Sequence, residues 1–509
     1  MTRFLLCLLL LCSALAQADP ITSDEIEAHI RFLADPLTQG RGLGSEGLEI
    51  AALYIESQFR AAGLRPAFGD SYGQEFELLG STPDPQARLS FPGSKLTYGD
   101  DFVVFTSRED APTKLSGELV YAGYLIEAPE REWDDIKGAD LKDKILLVEV
   151  NEPGNRPGGV FEGPVMTYYG RWTYKYEQAA RLGAGGILLV HNPTRATYGW
   201  EVVRNSWSQE GFTIPGEAPG SPFEGWVTEA VARQLCPDYD QLLARAETPD
   251  FRPVPLGVKV EVEQHPKFRR VKTANVGGLL PGTAKDAPTL VVTAHHDHWG
   301  VDPKGGIYAG VVDNCSAVAS MLALARHFSD QPLSANLLFV AVSAEEQGLW
   351  GSRYLAAHPP MPEVWANINL EMTNIWGPTR DAYAIGADLS DLDEVARQAA
   401  ERVGLRYIPE RDKENGFFFR SDQFSFARAG VPGLWPHEGP TSVAGDGLAR
   451  RQNYRAQHYH KTSDSLAVLE QEWNLDGTRQ MAEWAAAMLE LLAQRDTAPQ
   501  FKPSSGFGR

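Results

Sequence analysis

The sequence predicts an α/β protein with a mainly parallel, mixed sheet flanked by helices, and three observations carry that expectation. From Val271 onward, short apolar runs at 275–280 (NVGGLL), 289–293, 336–342 and 366–370 alternate with helical patterns at about 316–328, 351–357 and 391–403. Strands spaced by helices build a sheet covered on both faces. Metal-type ligands follow or closely trail these runs, in TAHHDHWG at 293–300, VVDN ending at Asn314 and SAEEQG at 343–348. Active sites of open α/β sheets gather at strand ends. Finally, 509 residues exceed what one core usually holds, so two domains are expected, one of them able to sit inside the other.

Taken in order, the chain opens with a secretory-signal pattern: Arg3, the apolar run 4–11 and the small-x-small site Ala16-Gln17-Ala18. Residues 1–18 are therefore expected to be removed and the protein exported to a periplasm or the extracellular space. The apolar run is too short to span a bilayer, and no other segment is long and apolar enough. Thr22 and Glu25 form a capping-box pattern ahead of a stripe at Ile26, Ile30 and Leu33. A second stripe, Leu48, Ala52, Ile55 and Phe59, ends at Gly63, and the glycine-rich loop GRGLGS lies between the two helices.

At 113 the texture changes to β-like runs (LVYAGYLI, KILLVEV), a helical stretch (KYEQAARLGA) and GILLVHN, closed by the Pro-containing segment 251–255. This predicts a separate β-rich unit over 113–255. The metal-type residues then fall in 256–495, which ends in an amphipathic helix at about 476–494, and the Pro/Gly/Ser-rich tail 496–509 is expected to be loose.

Composition excludes several roles. A net charge of −20 argues against nucleic acid or an anionic membrane surface as partner, since both reward clustered Lys and Arg. Only Cys236 and Cys315 remain after the signal, too few for a disulfide framework. Cys315 beside Asp313 reads as a small residue opening a helix rather than a nucleophile.

Five positions carry the chemistry: His295, Asp313, Glu346, Glu371 and His460. Imidazole and carboxylate ligands without thiolates suit zinc or another first-row divalent ion in an open, reactive site. Two such ions about 3.5–4 Å apart can share one carboxylate and one water, an arrangement that hydrolyses amides. The neighbouring Glu345 and Glu346 divide the labour: one carboxylate is consumed by metal while the other is left to move a proton.

The ordered set AHHDH, VVDN, AEEQG, INLEM and YHKTSD resembles the metal-binding motifs of the M28 family of co-catalytic zinc exopeptidases, the aminopeptidase and glutamate-carboxypeptidase-like group. The GR-containing first segment is similar to that family's N-terminal region, and LVYAGY, DLKDKILLV and QAARLGAGGILLV to its inserted protease-associated (PA) domain. The resemblance implies a peptidase domain over 19–112 and 256–495, interrupted by a PA domain over 113–255. It implies that His295, Asp313 and Glu371 bind one zinc, that Asp313, Glu346 and His460 bind the other, and that Asp313 bridges them. It makes Glu345 the general base and Asp297 the group that orients His295, and it lets Tyr459 donate to the developing oxyanion. Glu371 departs from the family pattern, which usually has aspartate there.

Other residues compete for roles. Strand alternation turns His296 away from the face shown by His295 and Asp297, and His298 is expected to line the cleft or join a hydrogen-bond network. His437 and His458 rival His460, which alone sits in the YHxxxD pattern. Arg420 and Asp422, in RSDQFSF, resemble a segment near the family's substrate pocket, with a structural salt bridge as the alternative. The expected function is an exported two-zinc aminopeptidase acting on peptides. A glutamate-carboxypeptidase-like peptidase needs cationic groups in the pocket, of which only Arg420 is identifiable in the sequence. A glutaminyl-cyclase-like acyltransferase and a non-catalytic binding protein on the same scaffold complete the alternatives.

Overall fold

The computed structural model describes residues 20–154, 159–196, 198–216 and 220–507; the signal-peptide expectation at 1–18 lies outside them. Two large sheets organise the chain. The first runs in the order Gly211–Thr213, Gly73–Thr82, Lys267–Leu280, Asn336–Val342, Thr289–His295, Val364–Asn369, Gly433–Glu438, Asp381–Ile385, Arg406–Tyr407, with Arg65–Pro66 added against Lys267–Leu280. Its middle four strands, from Asn336–Val342 to Gly433–Glu438, are mutually parallel. The long strand Lys267–Leu280 and its outer neighbour Gly73–Thr82 are antiparallel, so the sheet is mixed, with its parallel part central.

Thr289–His295 and Asn336–Val342 are buried along their whole length and send alternate residues to the two faces. Leu290, Val292, Ala294, Leu337, Phe339 and Ala341 pack on the side that holds helices Ser23–Leu33, Ser316–Ser329 and Asp476–Ala493. Val291, Leu338, Val340 and Val342 pack on the other, against Leu355 of Trp350–Ala357 and Phe426 of Gln423–Arg428. Thr22 caps the first helix by accepting from the Glu25 amide at 3.2 Å, but the Glu25 carboxylate turns to Arg326 instead of closing the box.

The second sheet is ordered Arg88–Ser90, Val254–Glu263, Lys114–Tyr121, Ile145–Glu149, Gly186–His191, Glu224–Thr228, Phe102–Phe105. It takes strands from both sides of the expected 113–255 limits, because short edge strands such as Leu89 with its two neighbours give too few alternations to be read locally. Gly211–Thr213, from within that span, crosses to pair with Gly73–Thr82 and stitches the two sheets together.

The tail expected to be loose is packed. Phe501 bridges to Ser390, and Phe507 joins an aromatic cluster with Phe418, Phe424 and Tyr168. Two phenylalanines among the Pro, Gly and Ser of this tail supply the apolar surface that fixes it.

Candidate metal centre

Three adjacent parallel strands end on the same edge of the first sheet, and each delivers part of one cluster. Thr289–His295 terminates in His295, Asn336–Val342 leads to Glu345 and Glu346, and Val364–Asn369 leads to Glu371. Asp313 arrives on the tight segment before helix Ser316–Ser329, and His460 follows helix Gly447–Gln457. Asp313 lies between the imidazoles: its Oδ1 is 3.2 Å from His295 Nε2 and its Oδ2 is 3.2 Å from His460 Nε2. Glu371 Oε1 lies 3.2 Å from His295 Nε2, and Glu346 Oε2 lies 3.3 Å from His460 Nε2. Glu345 stands slightly back, with Oε2 at 3.9 Å from His295 Nε2. All six side chains, from distant parts of the chain, converge on one small volume.

Each donor is held by further residues. The Glu371 carboxylate accepts from Ser421 Oγ at 2.8 Å; Ser421 accepts from Asn369, whose carbonyl accepts from Thr293. Asp464, the last residue of YHKTSD, is buried and accepts from the amides of Val312 and Asp313 and from the Tyr454 hydroxyl. Asn314 accepts from the Met372 amide and so ties the Asp313 turn to the Glu371 segment. Arg41 is buried, with no carboxylate partner among the described residues; it donates to the carbonyls of His296, Leu33 and Ala309 at 2.7–2.9 Å and braces both ligand loops. Its loop needs glycine at both sides: a Cβ on Gly42 would come within 2.8 Å of the Gly300 Cα, and Gly40 has φ +60 with the Gly300 carbonyl at 2.5 Å. The sequence pointed to this loop by its glycines and to Asp464 by its motif, but it assigned neither residue a role.

One expected position behaves differently from its assigned part. Asp297 does not lie in hydrogen-bond contact with His295; its Oδ1 is 3.8 Å from Nδ1, and the nearer acceptor is its own backbone carbonyl at 3.1 Å. Its carboxylate accepts instead from the amides of Glu345 (3.1 Å) and, at the long limit, Glu346 (3.4 Å), so it shapes the loop that carries them. His298, expected to line the cleft or join a hydrogen-bond network, is hydrogen-bonded at the cluster, with Nδ1 2.6 Å from Glu346 Oε1, and together with Asp313 and Glu346 it forms a second possible set of ion-binding donors.

The electrostatics are those of an acid-rich buried site. Burial disfavours a charged His295, but the Glu371 and Glu345 carboxylates outweigh it and raise its pKa well above the usual value. Burial opposes the charge of His460 too, yet Glu346 and Asp313 lift it to about 9. Asp313 is held well below the ordinary carboxylate range: burial resists, but hydrogen bonds from both imidazoles prevail. Burial drives Glu345 well upward, aided by Glu371 and Glu346 and only partly countered by His295. Asp313, Glu345, Glu346 and Glu371 meet no Lys or Arg ion pair among the described residues. A donor set of nitrogen and oxygen with excess negative charge fits a divalent first-row ion.

The remaining candidates lie outside the cluster. His296 points its Nδ1 to the Val342 carbonyl. His437 stacks on Tyr383, and His458 bonds Ser463. Cys315 is buried and its thiol is pushed up to about 11 by burial. Tyr459 stacks on the His460 ring and borders the adjoining cavity. Asp422 is buried and Arg420 exposed, and among the described residues neither forms a salt bridge. The cavity beside the cluster, about 460 Å³, is lined by Asp313, Glu345, Glu346 and Glu371 together with aromatic residues such as Trp299, Phe417 and Phe424.

Residues 275–487 match the family model for peptidase family M28. That matched span holds every donor of the cluster. Among curated proteins, the chain is 30% identical over 145 residues to aminopeptidase YwaD of Bacillus subtilis (strain 168), covering 27% of this chain and 30% of that protein. It is 36% identical over 88 residues to a probable zinc metalloprotease of Pyricularia oryzae, covering 17% and 18%. Both matches thus span under a third of the relative's length. The fold is similar over nearly the whole chain to a solved aminopeptidase from Aneurinibacillus sp. strain AM-1, with TM-score 0.52, 20% identity and 95% of each chain covered.

Proposed function

We propose that this protein is a zinc metallopeptidase that removes N-terminal residues from peptides, with two metal positions sharing Asp313. One observation carries the reading: the two oxygens of a single buried carboxylate each face a different imidazole at 3.2 Å. His295 and Glu371 would complete one position; Glu346 and His460 would complete the other, with His298 hydrogen-bonded to Glu346. When bound, the ions supply Lewis-acid activation of water and of the peptide carbonyl. Glu345, set back from the closest donors, takes the proton of the attacking water and returns it to the departing amine. Tyr459, whose ring packs on His460 at the cavity wall, donates to the carbonyl oxygen as charge develops there. The Ser421 and Asp464 hydrogen bonds keep Glu371 and the Asp313 turn in place, and the aromatic wall excludes water.

Glu371 supports the same assignment despite its extra methylene, because Ser421 fixes its outer oxygen and leaves Oε1 toward His295. The second sheet is read as a protease-associated insert, and the N-terminal pattern as an export signal. Metal analysis combined with hydrolysis of aminoacyl and C-terminal-glutamyl substrates tests the proposal. The wild-type protein is expected to contain zinc and to cleave aminoacyl substrates, and Glu345→Gln to retain metal while kcat falls by about 10²–10⁴-fold. Absence of divalent metal, or full activity in the Glu345→Gln protein, rejects the mechanism.

A further inference from the structure

A seam between the two sheets borders the cavity beside the metal cluster, and the segment after helix Asp476–Ala493 brings two phenylalanines to it. One side of the seam is the loop at 167–171, which leads into helix Trp172–Arg181 beside the second sheet. Its base is fixed, because the Thr167 amide and hydroxyl donate to the buried Glu152 carboxylate at 3.1 and 2.5 Å. Its Tyr168 ring reaches across, with its centroid 5.5 Å from that of Phe424 and 6.5 Å from that of Phe419. The other side is the turn Phe417–Arg420 followed by helix Gln423–Arg428, whose Arg428 pairs with Glu177 at 2.7 Å. Each side contributes to the cavity lining, Arg171 and Trp172 from one, Phe419 and Phe424 from the other. Phe507 stands outside that lining and touches both sides: its ring lies 6.5 Å from Tyr168, 5.9 Å from Phe418 and 6.3 Å from Phe424. The tail is itself anchored, since the Gln500 amide donates to Asp391 and the Lys502 amide to the Leu389 carbonyl, both at 2.9 Å, and Phe501 packs 5.5 Å from Phe507.

Elements of two different sheets that meet through a few rings keep their spacing only while the seam is filled, because a gap forfeits the contacts on both of its sides. The metal side of the turn has supports of its own: Ser421 and Gln423 both accept from Asn369, and Gln423 donates to the Phe418 carbonyl. Glu371 therefore keeps its place without the tail. The rings of Phe418 and Phe424 have no such hydrogen bonds and are held by packing alone. We propose that Phe507 is a positioning residue that clamps the 167–171 loop to the Phe417–Arg420 turn and so fixes the width of the cavity in which substrate is held. The consequence for substrate rests on the peptidase reading, whereas the clamp itself does not. A small misplacement of lining groups is enough to weaken binding, so affinity comes to depend on a residue that touches neither the metal cluster nor the cavity.

The test compares the full metal-loaded protein with Phe507→Ala, with Phe507→Tyr and with a chain ending at Arg495. Phe507 is only half-buried, so its alanine variant is expected to fold. In Phe507→Ala, KM for aminoacyl-peptide amides should rise about 3- to 10-fold, with kcat and zinc content within about twofold of wild type. The shortened chain should show at least the same rise, and Phe507→Tyr, which keeps the ring, should restore the wild-type KM. Amide hydrogen exchange in Phe507→Ala should be faster in both 167–171 and 417–424. Unchanged KM, a joint fall of kcat and zinc content at constant KM, or wild-type exchange in either segment overturns the clamp. If the wild-type protein cleaves none of the peptides, the peptidase reading fails and hydrogen exchange alone decides the clamp. Cleavage with the same KM in all four proteins keeps that reading and rejects the clamp.

Discussion

The protein buries two clusters of charged side chains, and they are balanced differently. In the second sheet, Glu149 accepts from Tyr121 and Tyr239 and pairs with Arg195 at 3.0 Å, while Asp135 and Glu152 accept from backbone and side-chain donors around Lys175. Each carboxylate there has its donors, and two cations offset three acids. At the strand ends of the first sheet, four carboxylates crowd three histidines with no lysine or arginine among them. Buried charge is stable only when paired. One cluster is largely compensated by its own cations and hydrogen-bond donors; the other leaves a larger negative surplus suited to an added cation.

This contrast can be broken most strongly from the self-balanced side. Lys175→Met leaves buried carboxylates uncompensated and should destabilise the protein by about 3–5 kcal/mol, read as a loss in denaturant midpoint, with metal content per folded molecule unchanged. A drop in metal content without loss of stability would contradict the division between the clusters. On the metal side, Asp464→Asn weakens the hold on the Val312 and Asp313 amides. It should lower zinc affinity by about 10- to 100-fold, measured by competition with a chelator, while the apo protein melts within a few degrees of wild type. Unaltered affinity would show that the Asp313 turn holds itself.

The smallest expected effect sharpens the comparison through pH. Burial pushes the Glu224 carboxyl in the second sheet up to about 7. Because the folded state holds this proton more tightly than the unfolded chain, its contribution is fully present below about pH 4.5 and is lost as pH rises through 7. Glu224→Gln should therefore match wild type near pH 4 and exceed it by about 1–3 kcal/mol at pH 8, as followed by thermal unfolding. A difference independent of pH would mean that Glu224 is not the titrating group.

Much of the first sheet was legible because its strands are continuous apolar runs and its helices keep a regular stripe: the helix expected at 316–328 is Ser316–Ser329, and the strand expected at 336–342 is Asn336–Val342. Two other strands of this sheet were harder to read. Gly73–Thr82 mixes polar and apolar residues with no clear boundary, and Gly433–Glu438 contains a proline and a histidine that hide a buried strand. In the site, residue types and order identified the donors, whereas Asp297, His298, Asp464 and Arg41 depend on contacts between segments that local patterns do not record.

By itself the sequence determined the chemical kind of site: imidazoles and carboxylates without thiolates, delivered after apolar strands, are properties of short stretches of chain. Only the tertiary structure decided how they are used. It placed the two oxygens of Asp313 toward different histidines, turned Asp297 to the loop of Glu345 and brought His298 onto Glu346. It also set Arg171 in the same cavity wall as Arg420, although the two are far apart along the chain and on different elements. The physical reason is that ligand identity is covalent and local, while direction and distance are set by packing among elements whose separation in sequence carries no geometric information.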